Sequence, residues 1–292
     1  TWAVAAVLGL DLLVAGWSLM PAAPVSIYRG QNAGVEQTRS QLGAGRIYLP
    51  EQDEYQIKFS RFFRFTNFQL LERWENLRPV LLPNMNLLDG IPSANNFDPL
   101  VPGRWARWME HLESLPRDQQ EPWLRLMGVS LVENRVIDQP GGVTFTPVAD
   151  AQRWYWASCA QKASSGEDSL LRIANILREN QGSMAGWVVV ENADVEPQDC
   201  DPNPSAVIRL VEQSDQRARY AVSTDRPGWL VVADTWYPGW RATVDGVPTP
   251  LILANQTFRA AVVPAGQHMV VLTYAPQSFT AGWIISLLAG LI

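Results

Sequence analysis

Hydrophobic and polar positions change their period along this chain, and the changes divide it. Residues 1–20, "TWAVAAVLGLDLLVAGWSLM", are apolar except Asp11, and 278–292, "SFTAGWIISLLAGLI", form a second apolar run. Neither run has a polar face, and twenty helical residues span about 30 Å, one hydrocarbon core. The pattern predicts membrane helices at both ends, with buried core helices of a soluble protein as the alternative. Phe279 and Trp283 stand near the start of the second run, where interfacial aromatics sit. The basic start and small-residue exit of a signal peptide are missing. Expected domains are therefore 1–20, the last part of a longer membrane region; 21–140 and 141–276, two lobes; and 277–292, the start of a further membrane helix.

Between these runs the period alternates between two and 3.6. "RIYLP" (46–50) and "EYQIKFSRFFRF" (54–65) predict strands, and "FQLLERWENL" (68–77) predicts a helix. Residues 81–103, rich in Asn, Asp, Pro and Gly, show no period; irregular stretches of that length are uncommon and often functional. Trp105, Trp108, Met109, Leu112 and Leu115 mark a helix over 104–115, and "DQPGG" (138–142) marks a boundary. In the second half, Ser165 and Asp168 have capping-box spacing ahead of a helix. From Ala206 onward short strands follow one another every eight to twelve residues, with Asp245-Gly246 as the hairpin signal. In "WRATVD", Trp240, Ala242 and Val244 share one face, so the strand is half-solvated with Trp240 inward. The fold class expected is α+β: a mixed α/β lobe, then an antiparallel β-sandwich, flanked by partial transmembrane helices.

With 292 residues, 47% hydrophobic, the chain can bury one large core or two modest ones. A net charge of −6 and the absence of any Lys/Arg run exclude a nucleic-acid partner. Cys159 and Cys200 have no metal-ligand spacing; a disulfide between them would suit an extracytoplasmic side, and two unpaired thiols are the alternative. His111 and His268 complete no zinc motif, and no P-loop, G-x-S-x-G or strand-linked G-x-G-x-x-G is present. Neither a metal nor a cofactor is expected. Glu191, Asp194, Glu196, Asp199 and Asp201 read as a solvated acidic loop rather than a calcium site. Asp89 and Asp98 are a conceivable carboxylate pair, although hydrogen-bonding their own turns is the simpler use. Sugar recognition needs flat aromatic faces and planar polar groups. Trp236 and Tyr237 offer the first, and Asn84, Asn95, Asn96, Asp98 and Arg104 the second. The competing use for the two aromatics is packing against a lobe or the membrane surface.

"DTWYPGWRATVDG" followed by "NQTFRAAVVPAGQHMVVLTYAPQSFTAGWIIS" resembles the C-terminal end of the YfhO family of bacterial multi-span membrane proteins. Tyr237 to Trp240, Asp245-Gly246, Phe258-Arg259, Pro264 to Gly266, His268, Tyr274, Pro276, Ser278-Phe279 and Gly282 carry the likeness. "PNMNLLDGIPSANNFDPLVPGRW" is similar to the family's Asn/Gly-rich segment, with Phe97 where Tyr is usual. The resemblance implies a multi-pass protein of the cell membrane with residues 21–277 outside the cytoplasm. It further implies a GT-C-type glycosyltransferase parent that uses polyprenyl-phosphate sugars on cell-envelope polymers such as teichoic acids. Its catalytic carboxylate would sit near N-terminal membrane helices, so no catalytic residue is expected here. Membrane lipid, a polyprenyl-phosphate sugar and envelope glycan are the implied partners. The alternative is a non-enzymatic carbohydrate-binding or structural β-sandwich.

Overall fold

Burial against a partner turns these patterns into structure in two places. The computed structural model describes residues 2–17, 25, 28–62, 76–98, 100–136, 142–191, 200–201 and 205–290. The predicted helix over 68–77 lies almost wholly outside them, as do Asp194, Glu196 and Asp199. The chain forms two units, Thr1–Phe97 with Leu131–Pro147, and Asp98–Ser130 with Val148–Ile292.

In the first unit, α1 (Trp2–Trp17) is apolar apart from Asp11 and exposed from Trp2 to Ala15. Asn32 caps α2 (Ala33–Leu42), its Oδ1 accepting from the Gly34 and Val35 amides at 3.0 and 3.3 Å. A three-stranded sheet runs β1 (Arg46–Tyr48), β2 (Val129–Arg135), β3 (Val143–Pro147). Residues 51–62 correct the expected strand: they form α3 (Glu51–Gln56) running into a π-helix, Ile57–Phe62. Pro50 precedes the helix, and Glu51, Asp53 and Glu54 complement the positive end of its dipole. Glu54 then pairs with Lys58 one turn on. Val35, Leu42, Ile47, Leu81, Ile91 and Leu131 make one core, and Leu49, Ile57, Phe62, Leu77, Val80 and Leu82 a second. The aperiodic segment is laced to β1: the Ile47 amide donates to the Pro92 carbonyl at 3.0 Å, and Ala94 returns a bond to Ile47 at 2.8 Å.

The second unit holds α4 (Gly103–Ser114) and α5 (Arg117–Leu126), then β4 (Trp154–Ala163), α6 (Gly166–Glu179) and β5 (Gly186–Glu191). Eight strands follow: β6 (Ala206–Gln213), β7 (Arg217–Thr224), β8 (Gly228–Val232), β9 (Trp240–Val244), β10 (Val247–Thr249), β11 (Leu251–Ala254), β12 (Phe258–Val263) and β13 (Gly266–Tyr274). One sheet has the order β10-β9-β13-β7-β6. The other, β11-β12-β8-β4-β5, closes on itself where Ala254 meets Val190. Inward side chains of both interdigitate: Trp156, Leu230, Val232, Ala261 and Val263 against Tyr220, Val222, Ala242, Val244, Val270 and Leu272. Burying each aliphatic side chain of this kind stabilises by roughly 1.5–3 kcal/mol. The two-layer core follows the strand pattern, with one departure from an all-antiparallel arrangement. β4 and β5 run parallel, because α6 carries the chain back between them. Cys159 of β4 is disulfide-bonded to Cys200.

α7 (Gln277–Ala289) ends the unit, an apolar helix with no buried residue. Among the described residues no helix is long and apolar enough to cross a membrane; α1 has 16 residues and α7 has 13. Helices thus form at both predicted ends over the described residues.

Candidate functional site

Tyr237-Pro238-Gly239-Trp240 is a turn closed by the Trp240 amide on the Tyr237 carbonyl at 3.3 Å. Pro238 fixes its second position, and Gly239 sits at φ +110°, where an L side chain is strained. Gly239 also lies directly against Pro276, the residue that caps α7: a Cβ there would come within 3.0 Å of the Pro276 Cα. The Ala275 amide donates to the Gly239 carbonyl at 2.8 Å. The turn is therefore clasped to the root of α7.

Beneath it lies a buried charge cluster. Arg259, on β12, is 5% exposed; its Nη2 meets Asp234 Oδ2 at 2.9 Å, and its guanidinium carbon stacks 3.8 Å from the centre of the Trp240 ring. Arg153 reaches the other oxygen of Asp234 at 3.2 Å. Two guanidiniums thus share one carboxylate, and Arg259 Nη1 has no hydrogen-bond partner. Burial, the larger influence, lowers the Arg259 pKa, and Asp234 opposes it.

A second polar knot adjoins it. Asn255, Gln256 and Thr257 connect β11 to β12 and are fully buried, with Asn255 and Gln256 at φ 44° and 69°. Arg104 Nη1 donates to Glu191 Oε1 at 2.9 Å and to the Gln256 carbonyl at 3.1 Å. The Trp236 amide donates to the Thr257 carbonyl at 2.7 Å. The Asn255 side chain bonds the Val189 amide and the Tyr155 hydroxyl, and burial pushes the Tyr155 pKa up. Gly166, first in α6, packs against the Gln256 amide, where a Cβ would stand 2.5 Å from Oε1.

Of the residues singled out from sequence, Trp236 and Arg104 thus meet the same three-residue turn, and Tyr237, 49% exposed, stands next to it. The others serve their own backbone. Asn95 brackets Leu49, accepting from its amide and donating to its carbonyl, and Asn84 donates to the Phe97 carbonyl at 2.7 Å. Asn96 is exposed. Asp98 accepts from the Leu100 amide at 2.8 Å, and Asp89 is held by both Arg78 Nε and Nη2. Of the acidic-loop residues, Glu191 pairs with Arg104 and Asp201 with Arg226. Among the described residues no three His, Cys, Asp or Glu side chains are grouped to hold a metal. Sequence reasoning missed Arg259, Asp234 and Arg153 as a cluster. The available signal was a charge inside the apolar strand "FRAAVV" (258–263).

At the opposite end of the sheet, Asp245-Gly246 makes the two-residue hairpin with both residues at positive φ. His268 Nδ1 lies 2.7 Å from Asp245 Oδ2, and its Nε2 lies 3.1 Å from the Ala265 carbonyl. Facing an acceptor at each nitrogen, the ring favours the imidazolium. Its pKa is raised, by Asp245 first, and that of Asp245 is lowered, by His268 first.

A β-domain whose last strand leads, through a rigid turn, into a fully exposed apolar helix has the build of a membrane-attached domain. The model of the family described as "Bacterial membrane protein YfhO" matches residues 207–286, from β6 into α7. Over these residues the chain is similar to that family of bacterial membrane proteins. No curated protein and no solved structure matches it.

Proposed function

We propose that this chain supplies the extracytoplasmic domain of a multi-pass membrane protein resembling a polyprenyl-phosphate-sugar-dependent glycosyltransferase of cell-envelope polymers. Its own role is to position acceptor glycan or lipid-linked donor, with the transfer chemistry carried out elsewhere in the parent. The observation that supports this is the exposed Tyr237 and half-buried Trp236, carried on and beside a turn clasped to the root of α7. Aromatic faces meet the C–H faces of a sugar. Binding of cell-envelope glycans and of short-chain polyprenyl-phosphate sugars to the chain in detergent tests it. Retention is expected for the native chain, with at least a tenfold loss in Trp236→Ala and Tyr237→Ala. A native chain that retains neither ligand class refutes the positioning role. A purely structural β-domain is the second reading, favoured by the commitment of Asn84, Asn95 and Asp98 to their own backbone.

A further inference from the structure

We infer that the end of the five-stranded sheet beside α7 rests on the bilayer surface, with Tyr237 and Trp236 at the level of the lipid headgroups. The inference builds on the membrane reading of α7 and adds an orientation to it. Strand register shows which side chains share that end. Tyr274, the last residue of β13, is paired with Trp240, and Thr273 is paired with both Arg241 and Arg217. The β6–β7 turn is tied to that end too, the Tyr274 amide donating to the Gln216 carbonyl at 2.8 Å.

Two observations make a lipid surface the occupant of this end. First, α7 leaves from it with nothing buried; Phe279 is 73% and Trp283 61% exposed, and tryptophan is an interfacial residue type. Second, the clasp of Gly239 on Pro276 leaves no flexible spacer, so wherever α7 enters lipid, Tyr237 is brought to the same depth. Tyrosine and tryptophan are the side chains that combine an apolar body with a polar tip suited to that layer. The nine residues of β13 separate the two ends by about 27 Å.

The test places an environment-sensitive fluorophore on single cysteines introduced by Tyr237→Cys or, at the far end, Val247→Cys. The native cysteines are joined to each other and stay unlabelled. An extrinsic probe is needed because thirteen tryptophans crowd the intrinsic signal. Each labelled chain is reconstituted into phosphatidylcholine–phosphatidylglycerol vesicles with bromine high on the acyl chain, and vesicle association is measured by flotation. The expected result is flotation of both chains, with strong quenching at 237 and none at 247. Flotation with equal quenching at the two positions, or with none at 237, overturns the seating and leaves the membrane reading intact. Failure to float overturns both.

Discussion

At one end of the five-stranded sheet Gly239 lies against Pro276 and Arg259 beneath Trp240; at the other, an exposed Asp245 holds His268. Both ends fix a turn to β13, but by different means. The first relies on close packing and on charges withdrawn from water, which salt and pH near neutrality barely touch. The second relies on a titrating pair in solvent, open to screening over a Debye length of about 10 Å. A sheet rooted at an apolar helix needs its rigidity at the root, and the stronger devices are there.

Cutting the root should do most damage. Arg259→Ala leaves Asp234 half-paired and removes the stacked guanidinium, and a loss of about 3–5 kcal/mol is expected in urea denaturation. Gly239→Val combines a disallowed φ with contact on the Pro276 backbone and should lose about 2–3 kcal/mol.

The first unit offers a contrasting buried charge. Glu133, on β2, is fully buried with neither oxygen hydrogen-bonded. Burial first, then Asp53 and Glu54, raise its pKa well above 4.5. Folding therefore takes up a proton, and native stability falls as pH rises from about 4.5 toward the raised value. Glu133→Met should gain about 1–2 kcal/mol at neutral pH and flatten that pH dependence, as read by chemical denaturation across pH.

The smallest effect belongs to the far end. The contribution of His268 is complete below its ordinary value of 6.5 and is lost as pH rises through the raised one. That of Asp245 is present above 3.8 and is lost as pH falls through the lowered one. The pin should be firmest between these limits. His268→Gln should remove this small pH-dependent component, seen as a shift in Tm near pH 5.5 that shrinks at pH 8 and in high salt.

The strands from Ala206 onward were legible because each buries one face, so period and burial coincide, as in Trp240, Ala242 and Val244. Residues 54–62 misled for the opposite reason: their alternation is chance, and the acidic first turn behind Pro50 outweighs it. The parallel pairing of β4 and β5 depends on how α6 packs back on the sheet, which period alone does not encode. The site was only partly legible. Trp236, Tyr237 and Arg104 stand out as residue types, but Arg259 finds Asp234 and Arg153 through folding across 25 and 106 positions of chain. The left-handed turn at Asn255-Gln256 has no glycine to announce it; buried hydrogen bonds hold it there.

The order in which the chain visits its two units has a consequence for biosynthesis. β1 ends at Tyr48, yet its neighbour β2 begins only at Val129, after the whole of α4 and α5 has been made. As the polypeptide emerges, an unpaired edge must wait some eighty residues for its mate. Neither unit can mature before the other has been started, and a truncation anywhere between them strands an incomplete partner on both sides of the cut.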